Sequence, residues 1–169
     1  MANLKDIRDR IKSVKSIQKV TKAMKMVAAA KMRKAQDRME LARPYSNSLA
    51  DIIKNIIPEV DKSILRLLEK RDIKRRAYIV VSADRGLAGA FNTNILKIAQ
   101  KEIDEFGKDN VDLFCIGKKS VDHFQKRNYN IVDSHTDFWS EMKFEYAVSI
   151  CHNVIDHFIK LKVDEVHVV

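Results

Sequence analysis

Glycine, proline, cysteine and tryptophan are all scarce: the 169 residues hold four, two, two and one of them. Each shortage closes a class of explanation. Cys115 and Cys151 lie inside apolar segments and form no CxxC pair. Neither a disulfide framework nor a zinc site is therefore indicated, and a reducing compartment is expected. No apolar run reaches the roughly 18 residues that a spanning helix needs. The opening MANLKDIRDR has no apolar core and carries Asp6 and Asp9, which argues against a signal or transit peptide. Glycine is too sparse for a phosphate-binding fingerprint, and both GxGxxG and GxxxxGKS/T are missing. His123, His135, His152, His157 and His167 are scattered without ligand spacing, and no trio pairs a nucleophile with its base. The sequence predicts no catalytic residue, no cofactor and no metal ligand; His152 and His157 read as helix-surface or satisfied core histidines.

What is present in abundance is helix. No glycine occurs between Asn3 and Asn55, and the only proline there is Pro44. Asn3 can cap the start, with Asp6 favouring the positive end of the helix dipole. Steps of three and four from Leu4 trace Ile7, Ile11, Val14, Gln18, Thr21, Lys25, Ala28, Met32, Ala35 and Met39, then Ala42, Ser46, Leu49, Ile53 and Ile56. Twelve of these sixteen positions are apolar and the spacing does not slip, which marks a coiled-coil seam. At about 1.5 Å per residue the element would run roughly 80 Å. No domain of this size has that diameter, so the helix is expected to project from its own domain and to need a partner helix. Pro44 is expected to kink it between Ala42 and Ser48, and IIPEVDKS to end it.

Charge is concentrated on the same segment. Residues 1–43 hold 13 Lys and Arg against 4 Asp and Glu, whereas residues 44–169 hold 19 of each. One position beyond the seam, Lys5, Arg8, Lys12, Lys15, Lys19 and Lys22 form a basic stripe. Such asymmetry points to a partner with an acidic surface, against the plainer reading of a solvated lysine face. Between Ala23 and Ala30 the helix is apolar almost all round, interrupted only by Lys25. A helix apolar on every side is normally surrounded, and alanine with methionine gives adaptable contact. Alanine's helix propensity explains the alanines but not Met24, Met26, Met32 and Met39.

The rest of the chain alternates strand and helix. Ala77–Ser82, VDLFCIG, the weaker NIVDS and DEVHVV read as strands. Ile95–Phe106 with caps among Asn92–Asn94, Ser120–Lys126, and FWSEMKFEYAVSICHNVIDHFIK read as helices. This order predicts an α/β fold of right-handed βαβ units on a parallel sheet, ending in an apolar strand as though incomplete. SADRGLAGAFN, between the first strand and helix, holds only Gly86 and Gly89; it reads as a tight turn where Asp84 and Arg85 leave the sheet.

Three stretches, IKSVKSIQKVTKAMKMVAAAKMRKAQDRM, RPYSNSL and VVSADRGLAGAFNTNI, closely resemble the gamma subunit of the rotary proton-translocating ATP synthase, in the family's order and spacing. The resemblance covers the whole chain, as roughly the N-terminal three-fifths of that subunit. It implies a coiled-coil shaft helix at residues 1–58, a linker at 59–76 and a partial, Rossmann-like foot domain at 77–169. It also implies a non-catalytic central stalk that turns inside a hexamer of alpha and beta subunits. The foot would meet the epsilon subunit and the membrane-embedded c-ring, so that proton flow drives ATP synthesis, or hydrolysis drives the reverse. By the same resemblance Met24 lies against an acidic segment of beta, with Lys22, Lys31 and Arg33 in the contact zone. Lys25 departs from the pattern, since some members carry an acid there. The implied location is peripheral, on the cytoplasmic face of a bacterial inner membrane. Neither nucleic acid nor a small-molecule substrate is among the implied partners. The missing second shaft helix leads us to expect a piece of a longer chain. Two other readings compete: a basic coiled-coil protein that binds nucleic acid, disfavoured because no aromatic precedes Tyr45, and a small phosphate-binding βαβ enzyme, disfavoured by the sparse glycines.

Overall fold

The computed structural model describes residues 3–61, 65–137 and 144–169. The chain divides into two compact units, Met1–Val60 and Asp61–Val169.

The first unit is built on one helix, α1, Leu4–Ile56. Asn3 is its N-cap and accepts the Lys5 N–H at 3.5 Å, while Asp6 sits in the first turn and Lys54 in the last. Both charges complement the helix dipole. The helix continues through Pro44, which has no N–H to offer the Glu40 carbonyl. It closes at Ile57, whose N–H reaches the Ile53 carbonyl, and Pro58 follows. No described residue of α1 is buried.

The second unit is a four-stranded parallel sheet of β1 (Arg76–Val81), β2 (Val111–Ile116), β3 (Ile131–His135) and β4 (Glu165–Val168). Their order across the sheet is β3-β2-β1-β4. Helices α2 (Phe91–Phe106), α3 (Lys118–Gln125) and α4 (Phe144–Ile159) connect them. The predicted strands are all present, within a residue or two of their expected ends. The expected helix from residue 138 lies partly outside the described residues.

Alternation of side chains along each strand sends Tyr78, Val80, Leu113 and Cys115 into one core, with Leu96, Ala99 and Ile103 of α2 and Phe124 of α3. Ala77 and Phe114 point to the other core, against Val154 of α4 and Val163. Every residue of β2 is buried, as expected of a central strand covered on both faces. Its one charged residue, Asp112, is held by Arg75 at 2.8 Å and Asn130 at 2.7 Å. The segment before β1 is tied down too: Arg66 donates to the Ile159 carbonyl, and Arg71 donates to the Phe158 carbonyl while lying over the Phe158 ring.

One expectation about α2 fails. The helix starts at Phe91, four residues before Ile95, and Ala90 is its N-cap with no side-chain bond. Asn92 does not cap; its carbonyl oxygen accepts the Ala83 N–H at 3.0 Å and its amide donates to the Arg85 carbonyl at 3.4 Å. A tertiary tie thus takes the side chain that local reading assigned to the helix start.

Candidate interaction surface

Along α1 the seam residues Leu4, Ile7, Ile11, Val14, Met32 and Met39 are 47–71% exposed, and Ala28 and Ala35 are exposed with them. Lys22, Met24, Lys31 and Arg33 are exposed on the same helix. They do not share one face. Each residue advances about 100° around the axis, so Lys22 and Arg33 lie within about 20° of each other, as do Met24 and Lys31, and the two pairs stand nearly opposite. Lys22 continues the basic stripe of Lys5, Arg8, Lys12, Lys15 and Lys19, whose members Arg8 to Lys19 border a shallow groove. Met24 belongs to another row, which a count along the seam alone passes over.

That row is visible where the seam turns polar. At Gln18, Thr21 and Lys25 the seam carries no apolar residue. The Thr21 hydroxyl faces its own backbone, donating to the Ile17 carbonyl at 2.9 Å or the Gln18 carbonyl at 3.1 Å. One position earlier stand Ile17, Val20, Met24 and Val27, exposed at 59, 56, 64 and 57%. Over these turns the apolar surface therefore moves about 100° around the helix.

In the second unit, the turn after β1 is the place where a βαβ sheet would hold a phosphate on free helix amides. Here the chain fills that place itself. Asp84 Oδ1 accepts the Lys118 N–H at 2.8 Å, the Ala83 carbonyl accepts the Lys119 N–H at 3.2 Å, and Ser82 Oγ accepts the Ser120 N–H at 2.8 Å. Three consecutive residues of one loop thus satisfy the first three N–H groups of α3. Asp84 Oδ2 accepts the Asp137 N–H at 3.0 Å, joining the exits of β1, β2 and β3. Gly117 makes the closeness possible: a Cβ there would stand 2.0 Å from the Ser82 carbonyl oxygen, and its φ is +96°. In SADRGLAGA the left-handed positions are Leu87 and Gly89, at +61° and +59°, and Gly86 is not one of them. The sequence pointed to Asp84 only as part of a turn; nothing local signals partners 34 and 53 residues away.

The titratable groups of this unit are engaged in structure. Two backbone N–H groups, of Arg75 and Lys74, hold the Asp164 carboxyl below its ordinary range. Bonding from His167, helped by Arg76, does the same for Glu165. Burial pushes the Cys115 thiol up to about 12, and burial with the Asp104 hydrogen bond pushes the Tyr129 phenol up to about 12. His152 is exposed, and His157 sits edge-on to Phe114 with Nδ1 bonded to the Asn153 carbonyl. Among the described residues no group of three or more His, Cys, Asp or Glu could hold a metal ion, and no helix is long and apolar enough to cross a membrane.

A family model described as ATP synthase matches residues 3–169. The ATP synthase gamma chain of Chloroherpeton thalassium is 45% identical over 175 residues, taking in 100% of this chain and 58% of that protein. The gamma chain of Desulforamulus reducens is 43% identical over 169 residues, covering 100% and 59%. Among solved structures, the central stalk and c-ring of the Tetrahymena thermophila mitochondrial ATP synthase includes a chain similar at a TM-score of 0.62 and 24% identity, over 80% of this chain and 58% of that one. The rotor of the Euglena gracilis mitochondrial ATP synthase gives 0.52 and 17%, over 88% and 51%. At these identities the likeness to the solved structures is one of fold. The chain spans about three-fifths of the length of the curated relatives it matches.

Proposed function

The chain belongs to the ATP synthase family, its curated relatives being gamma chains, and from that premise we propose that it forms the first part of a central-stalk rotor. Residues 1–58 are the shaft, 59–76 the linker and 77–169 part of the foot. The shaft turns within a ring of alpha and beta subunits, and the foot engages epsilon and the c-ring. Rotation couples proton flow to ATP synthesis or hydrolysis, whose chemistry takes place on beta. The stalk is peripheral, on the cytoplasmic face of a bacterial inner membrane, and Lys22, Met24, Lys31 and Arg33 meet beta.

One observation carries this reading: a 53-residue helix with no buried described residue, an apolar seam and a basic stripe. Alone, such a helix leaves its apolar surface in water; it makes physical sense only when surrounded. Alanine and methionine at Ala23 to Met32 offer bulk to push against without deep interlocking. Exposed charge pairs, worth about 0–1 kcal/mol each, suit contacts that break and re-form at every step.

Co-expression of the tagged chain with alpha and beta subunits of a bacterial ATP synthase tests it. Recovery of both on the tag, lost in an Ile7→Asp and Ile11→Asp double variant, is the expected result. A folded chain that retains neither subunit would refute the assignment.

A further inference from the structure

The row holding Met24 does not stop at Val27. Steps of four, three and four continue it through Lys31, Lys34 and Arg38, so that one heptad-spaced row is apolar over four positions and basic over the next three. All seven residues are exposed. The row lies about 100° from the main seam over a length of about 30 Å.

We propose that Ile17, Val20, Met24 and Val27, with Lys31, Lys34 and Arg38, form a second docking seam for a helical segment of a neighbouring subunit. This segment belongs to a different chain from the helix that runs along the main seam. The inference rests on the reading that the chain works inside a subunit assembly, and it deepens that reading.

The spacing identifies the occupant as helical. Intervals of three and four match the knobs of a facing helix, whereas an extended segment would select positions at its own repeat of two. The charge identifies its ends: an apolar stretch must face Ile17 to Val27, and carboxylates must face Lys31, Lys34 and Arg38. The offset shows that it is a second neighbour. A single partner helix fills the holes of one seam, and two seams about 100° apart belong to a helix with two helical neighbours. The main seam yields at the matching place, since Gln18, Thr21 and Lys25 offer no apolar side chain and Thr21 spends its hydroxyl on its own helix. Lys22 and Arg33, on the opposite side, are left to contact a further neighbour.

The test is photo-crosslinking in the complex assembled with alpha and beta subunits, with p-benzoylphenylalanine placed at Val20 in one preparation and at Ile11 in another. Val20 should label an acidic helical segment of alpha or beta that Ile11 does not label. Reversing three charges, Lys31→Glu, Lys34→Glu and Arg38→Glu, should reduce that adduct by about tenfold. The same segment labelled from both positions, or label from Ile11 alone, would overturn the second seam while leaving the assembly intact. Failure to recover any complex would overturn the assembly reading, and the second seam with it.

Discussion

Ser82, Ala83 and Asp84 do for α3 what a bound anion does for a phosphate-binding helix, and the substitutions follow from that geometry. Asp84→Ala removes the acceptor of two backbone N–H groups, from Lys118 and Asp137. It should cost the second unit about 1–3 kcal/mol, with Asp84→Asn costing less because one acceptor remains. Faster hydrogen exchange at those two amides is the direct check. Gly117→Ala is more severe: its Cβ would stand 2.0 Å from the Ser82 carbonyl oxygen, at a φ of +96°. A loss of about 3 kcal/mol or more is expected, seen as unfolding of the sheet well below the parent's urea midpoint. Acid acts through Asp164 and Glu165. Both folded carboxyls are depressed, so their contribution is complete above the unfolded values of about 3.9 and 4.3 and disappears as pH falls through the lower, folded values. Stability of this unit should therefore be level with respect to these groups at neutral pH and decline below about pH 4. In Asp164→Asn that acid slope should be shallower.

At the scale of elements, a pattern was readable wherever one constraint dominated. The β-branched runs of β1 and β2 are buried on both faces and could be little else. Asn3 caps α1 as its position suggests, because nothing from elsewhere competes for its side chain. The start of α2 was not readable, because Asn92 answers to the β1 loop and not to its own helix. The second seam was hidden for a different reason: a count that follows one phase of the heptad scores Gln18, Thr21 and Lys25 as interruptions and does not ask where the apolar residues went. Pro44 shows propensity overridden. The helix passes through it with one backbone bond missing, so Pro44→Ala should stabilise α1 by up to about 3 kcal/mol. Amide exchange slowing between Glu40 and Ser48, with little change near Leu4, would verify it; uniform exchange along the helix would show that the proline is not the weak point.

For the whole molecule the decisive property is where the charge sits. The net +9 belongs entirely to residues 1–43, the stretch that also carries both apolar seams, so the same helix repels copies of itself and attracts acidic surfaces. Salt must then act in opposite directions on two associations. Screening over about 10 Å at 0.1 M, falling to about 3 Å at 1 M, removes the repulsion between shafts and leaves their seams free to pair. The isolated 19.5 kDa chain should thus sediment increasingly above its monomer mass as salt rises. Screening equally removes the attraction to carboxylates, so capture of alpha and beta subunits should weaken over the same range. A nucleic-acid binder would share the second trend, but its salt slope would follow the number of phosphates neutralised and persist without either subunit. If self-association fell with salt alongside subunit capture, both contacts would be electrostatic. The apolar seams would then not be what holds the shaft.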